Sequence, residues 1–195
     1  MAKKAKAKAT SKRIAKAKAK PKPTAARRKA KKAAKKAAKK HVQAIPAGYN
    51  HVTTYLITRD GAAAIDFYTK VFGARERMRM PGPGGKIGHA ELKIGDSLIM
   101  LSDELPSWGT QSPLTLGGSA VHIMLYVKDV DATVEKAVAA GAKAKTPVKT
   151  QFYGDRSGSI EDPDGHVWHI STHVEDVPPK ELRRRAEEMA KQAGS

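Results

Sequence analysis

The chain carries seven histidines and no cysteine. Disulfides, thiolate metal sites and cysteine nucleophiles are therefore excluded, and imidazole, carboxylate and hydroxyl groups must carry any chemistry. The densest histidine run is HVWHISTH, which holds His166, His169 and His173. It reads as a strand. His166 and His169 then point to opposite faces, while His169 and His173 share a face about 13 Å apart at ~3.3 Å per residue, so the run cannot chelate one ion by itself. Alternation sorts other side chains in the same way. His51, Thr53, Tyr55 and Ile57 share one face of a first strand, His122, Met124 and Tyr126 one face of a fifth, and Val167 and His169 one face of the last.

A second constellation is QFYGDRSGS, where Tyr153, Asp155 and Arg156 set a hydroxyl, a carboxylate and a guanidinium beside glycines that let a ligand approach the backbone. A salt-bridged hairpin accounts for the same residues equally well. His89, Glu91 and Lys93 share a strand face and form either a polar site or an exposed charged sheet surface. The glycine-rich run PGPGGKIG (residues 81–88) is followed by no helix whose N-terminus would meet an anion, so it reads as a hairpin turn. Trp168 alternates away from His169 and is expected against a helix, whereas Trp108 lies where it is available to cover a cavity or a subunit contact.

These residues sit in a duplicated frame. YLITRDGAAAIDFYTKVFGA and MLYVKDVDATVEKAVAAGA share one plan: a strand, an Asp cap at Asp60 or Asp129, a helix, and a terminal glycine at Gly73 or Gly141. Three strand-like runs follow each helix: residues 75–80, 87–94 and 97–102 in the first copy, and 144–150, 153–161 and 166–172 in the second. The result is a tandem βαβββ unit of the α+β class, with the Pro-, Gly- and Ser-rich segment 105–120 as its linker. After the Pro178–Pro179 pair, KELRRRAEEMAKQA reads as a charged terminal helix.

The N-terminal segment has different physics. Residues 1–45 hold 19 of the 37 Lys and Arg and none of the 19 Asp and Glu, so the remainder is close to neutral. With almost no side chain able to form a core, this segment cannot offset the entropy of ordering and is expected to be disordered. Dense cations bind polyanions by counterion release, which makes Arg27, Arg28, Lys29, Lys31, Lys32, Lys35, Lys36, Lys39 and Lys40 candidate contacts to DNA or RNA without sequence preference. Polyphosphate would satisfy the same charges, as would a purely solubilising role. No run approaches the ~20 apolar residues of a membrane span, and no secretory signal is evident, so a cytoplasmic, nucleoid-associated chain is expected. The domain plan is thus a basic tail over 1–45, a globular domain over 46–176 and a C-terminal helix over 177–195.

The tandem unit, with AIDFYTKVFGA, HAELKIGDSLIMLSDE and FYGDRSGSIEDPDGHVWHISTHVED, resembles the vicinal oxygen chelate superfamily, the glyoxalase and bleomycin-resistance group, and within it the PhnB-like branch. The tail resembles linker-histone-like Lys/Ala tails. The superfamily resemblance implies that each unit forms half of a cupped mixed sheet around one cavity, where a small-molecule ligand and a divalent metal sit. It carries the metal-ligand positions onto Thr53, Met100, His122 and His169. Two imidazoles remain as candidate metal ligands and both carboxylates are missing, which argues against glyoxalase I activity because those groups hold the hard cation and move the proton.

The strand faces agree that His122 and His169 are the best pair. Each stands as a metal ligand, a ligand-contacting imidazole or a hydrogen-bonded structural histidine. The expected ligand-binding set is Thr53, Tyr55, Met100, His122, Tyr126, Tyr153, Arg156 and His169. The expected function is small-molecule binding with metal-dependent lyase or dioxygenase-type chemistry, tethered to nucleic acid. A sequestering protein and an architectural protein that dimerises its tails are the alternatives. A homodimer is expected because domains of this family commonly pair and the linker is long enough to exchange modules.

Overall fold

The structure is a computed structural model and describes residues 24–26, 29 and 42–193. The chain divides into two units, Met1–Ala44 and Ile45–Ser195. In the first unit Ala25, Ala26 and Lys29 are helical and exposed. The other eight candidate nucleic-acid contacts, and the expected disorder of the tail, lie outside the described residues.

The second unit runs β1 (Thr54–Thr58), α1 (Gly61–Phe72), β2 (Arg75–Pro81), β3 (Ile87–Ile94), β4 (Ser97–Asp103), α2 (Pro113–Leu116), β5 (His122–Tyr126), α3 (Val130–Ala139), β6 (Lys143–Thr150), β7 (Asp155–Glu161), β8 (Val167–His173) and α4 (Pro179–Ala193). The strands pair as two mixed four-stranded sheets, in the orders β1-β4-β3-β2 and β5-β8-β7-β6. In each, the first strand is parallel to the last and the hairpins are antiparallel. This is the expected α+β plan of two βαβββ modules, each contributing one mixed sheet, and among the described residues no strand ladder joins β1 to β5.

Local sequence explains the matching halves. Asp60 and Asp129, both extended, accept the backbone N–H of Ala63 and Ala132 at 3.0 Å, caps worth about 1 kcal/mol each. Gly73 takes the left-handed turn that ends α1, at φ 67°. The second helix ends on Ala140 instead, with Gly141 one position later. PGPGGKIG makes the β2–β3 connection, as its lack of a following helix required.

Each sheet buries one face under its helix. Leu56, Ala90, Leu92, Ile99 and Leu101 meet Ile65, Phe67 and Val71 of α1, and one continuous core joins them to Val130, Ala137, Ile160, Trp168 and Ile170. Trp168 packs on the rings of Tyr68 and Phe72 at 5.4 and 4.8 Å, so it faces a helix as alternation demanded. The opposite, uncovered face of each sheet, here called its bare face, carries the candidate chemistry.

Candidate functional site

The bare face of the second sheet is set by the register of β5, β8 and β7. Met124 lies beside His169 and His169 beside Ser159; Tyr126 lies beside Ser171 and Ser171 beside Ser157; His173 lies beside Asp155. One step along β5, His122 Nδ1 meets His169 Nε2 at 2.9 Å. That bond needs one N–H and one lone pair, so at most one of the two bonded nitrogens carries a proton. The two histidines that strand alternation set side by side thus meet directly.

Further along the same face, Tyr126 donates its hydroxyl to Asp155 Oδ2 at 2.8 Å, and His173 Nδ1 lies 2.7 Å from Asp155 Oδ1. His173 Nε2 lies 3.0 Å from Asp176. Asp155 is buried, whereas Tyr126 and His173 are largely exposed. The bond to Asp155, then the bond to Asp176, hold the imidazole of His173 above its usual pKa; the bond to Asp155 also raises the phenol of Tyr126. Tyr153 sits at the rim, its hydroxyl 3.5 Å from Ser157 Oγ.

Arg156 stands elsewhere. One residue beyond Asp155, it points to the helix side and grips Asp131 of α3 with two bonds of 2.7 and 2.6 Å. The QFYGDRSGS run thus splits by alternation, its carboxylate facing the bare side and its guanidinium the helix.

The bare face of the first sheet holds a separate cluster. Tyr55, Met100 and Glu91 are neighbours across β1, β4 and β3. Tyr55 Oη lies 3.1 Å from His89 Nδ1. Tyr49, ahead of β1, donates to Glu91 Oε1 at 2.6 Å, and Arg77 reaches Glu91 at 3.4 Å while lying over the Tyr49 ring. These contacts explain why Glu91 is buried on a face without a helix. Thr53 is half-buried just before β1. Among the described residues no hydrogen bond or ion pair joins the Tyr55 cluster to the His122–His169 cluster, so the expected ligand set falls into two parts within one chain. Trp108 is exposed on a short turn at Pro106–Trp108. A groove of about 400 Å³ runs along the free edge of β1, with Tyr55, Leu116, Val121, Ile123 and His166 in its walls.

Two groups were beyond sequence reasoning. Alternation placed His173 on the face of His169, but its pairing with Asp155 depends on the β7–β8 register. Tyr49 lay outside every periodic segment, and only the fold shows that it reaches Glu91.

The positions onto which the resemblance carries the metal ligands are Thr53, Met100, His122 and His169. Within one chain only the two imidazoles are strong donors to a divalent ion, the hydroxyl of Thr53 and the thioether of Met100 being weak ones, and two are fewer than the three protein ligands of even an open catalytic zinc site. Among the described residues no group of three or more His, Asp or Glu side chains is placed to hold a metal ion. The donor set of the single chain does not fit a resident metal.

No helix among the described residues is long and apolar enough to cross a membrane. The chain is 42% identical over 135 residues to an uncharacterized protein of Mycobacterium bovis, covering 68% of this chain and 89% of that one. Among solved structures it is similar to TioX from Micromonospora sp. ML1, with TM-score 0.51 and 28% identity over 64% of this chain and 99% of TioX. It shares its fold with the fosfomycin resistance protein FosX of Listeria monocytogenes, solved with Mn(II) and sulfate, at TM-score 0.50 and 19% identity over 63% of this chain and 91% of FosX. Residues 48–170 match the family described as the Glyoxalase/Bleomycin resistance protein/Dioxygenase superfamily, and the chain belongs to that superfamily.

Proposed function

We propose that this chain binds a small molecule on the bare face of its second sheet, through His122, Met124, Tyr126 and His169, and is held on nucleic acid by its basic tail. One observation carries the ligand reading: a row of exposed side chains that is nonetheless ordered by mutual bonds. Met124 and Tyr126 are 53% and 60% exposed, and His122 is exposed beside them. Exposed apolar and aromatic groups clustered on one sheet face mark a binding surface. The two-nitrogen donor set favours His122 and His169 as ligand-contacting groups over ligands of a resident metal, although a relative such as FosX was solved with Mn(II). We assign the chain to the PhnB-like branch on the stretches AIDFYTKVFGA and EDPDGHVWHISTHVED.

The active form in this reading is a homodimer. Three of the eight expected ligand residues, Thr53, Tyr55 and Met100, belong to the first module, and the other five to the second. A twofold pair that sets the first sheet of one copy against the second sheet of the other would unite both parts twice. Tyr55, 47% exposed, and Met124 would be covered. Sedimentation should give a dimer at micromolar concentration, and a monomer would overturn this part.

The tail reading rests on the 19 cations of residues 1–45, and it places the domain in the cytoplasm at the nucleoid. A thermal-shift screen of small metabolites tests the ligand reading. Compounds that stabilise the full-length chain should lose at least ~10-fold in affinity in His169→Ala and in Tyr126→Ala. Equal affinity in both variants would contradict it.

A further inference from the structure

The His122–His169 pair leaves the other end of the same face unexplained. There Asp155 is buried while His173 and Tyr126 are open to solvent, and both of their polar tips converge on its carboxylate. The bond to Asp155 fixes the tautomer of a neutral His173: Nδ1 carries the hydrogen, and Nε2 presents its lone pair outward. Nε2 lies 3.0 Å from Asp176 Oδ1, and in the neutral form it has no hydrogen to offer that carboxylate, whose side chain is fully exposed.

The backbone holds this geometry on both sides of the pair. Val174 and Glu175 donate their N–H groups to Gly154 O at 2.9 and 3.0 Å, and Gln151 N–H bonds Asp155 O at 2.7 Å. Gly154 makes the turn at φ 98°, and a Cβ there would overlap the Glu175 carbonyl oxygen. A buried carboxylate that orients an exposed imidazole on a fixed frame is the arrangement a general base needs.

We infer that His173 is a proton-transfer base on this face, with Asp155 as its positioning residue, acting on a small molecule that bears an acidic C–H or O–H. The inference rests on the reading of the face as a ligand site. In the step, the X–H bond of the bound molecule breaks and its electron pair stays on the molecule. The proton forms a bond to His173 Nε2, and the resulting imidazolium is stabilised by Asp155 and then by Asp176. The titratable groups facing His173 are Asp155 from β7, Asp176 from the segment after β8, and Tyr126 from β5 through Asp155.

5-Nitrobenzisoxazole is a suitable probe because one base-driven step opens it. The C3–H proton goes to the base, the C–H electron pair forms the nitrile, and the ring N–O bond breaks to leave a coloured phenolate. The full-length protein should open this ring above the buffer rate, with a rate that rises with pH through a midpoint above the ordinary histidine value, as the bonds to Asp155 and Asp176 require. His173→Gln should lower the rate at least ~10-fold, on the scale of general-base effects. Asp155→Asn should move the midpoint to lower pH. Contact of the probe with the face is read separately from the Met124 methyl resonance. If the probe shifts Met124 and the rate survives in His173→Gln, or the pH profile is flat, His173 is not the base and the ligand face still stands. If Met124 is unmoved and the rate survives, both readings fall.

Discussion

Tyr68 of α1 and Trp168 of β8 donate to the same oxygen of Asp162, at 2.6 and 2.9 Å. The other carboxylate oxygen accepts the backbone N–H groups of Asp164 and His166 at 3.0 and 2.9 Å. One buried carboxylate thus binds the helix of the first module to the last strand of the second, and its burial with Tyr68 pushes that phenol well above its usual pKa. Asp162→Ala would strand four donors, each costing about 1–3 kcal/mol when buried and unpaired. Some would relax toward water, so a loss of about 3 kcal/mol or more is expected in urea unfolding. A loss below about 1 kcal/mol would show that this carboxylate does not hold the modules together.

Gly154 should tolerate no side chain. Its positive φ and the Glu175 carbonyl against it both oppose a Cβ. Gly154→Ala is expected to cost about 2 kcal/mol and to disorder His173, seen as loss of its raised imidazole pKa by NMR. A Gly84→Ala control also has positive φ but nothing within 4 Å of the new Cβ, so it should cost less.

The His173 clasp gives stability a pH dependence of definite sign. Its folded pKa is raised above the ordinary 6.5, first by Asp155 and then by Asp176. Its contribution is therefore complete below the unfolded value and is lost as pH rises through the folded one. Urea midpoints measured from about pH 6 to about pH 9 should decline more in the native chain than in His173→Gln. Parallel curves would contradict the clasp.

Tail binding should be electrostatic and transferable. If ~6 to 10 of its cations neutralise phosphates, affinity for duplex DNA should drop ~10³- to 10⁵-fold between 50 and 200 mM salt. Deletion of residues 1–45 should abolish binding and leave the remaining chain folded by circular dichroism. Equal affinity in the shortened chain would assign nucleic-acid binding to the wrong segment.

The parts of the fold that were legible in the sequence are those written in local chemistry. Asp60 and Asp129 announced helix starts because a capping carboxylate acts within three residues, and alternation in HIMLY set His122, Met124 and Tyr126 on one face because strand geometry has period two. For Arg156 the sequence shows a guanidinium beside a carboxylate but not the Asp131 partner of α3 that it grips. Glu91 could not be read as buried, since Tyr49 and Arg77 bury it from other parts of the chain. Contacts that depend on the register of two strands, such as Asp155 with His173, have no local signature.

The central claim, a small-molecule site on the bare face of the second sheet, is most directly tested by methyl NMR of the six methionines in the full-length protein with a stabilising compound from the screen. Met124 lies beside His169 on that face, Met100 lies beside Tyr55 on the first sheet, and Met189 lies on α4. The account predicts a saturable shift of Met124, with Met100 moving in parallel if two copies complete the site, and no shift of Met189. A saturable shift confined to Met189 or to Met78 of β2, with Met124 unmoved, would contradict it.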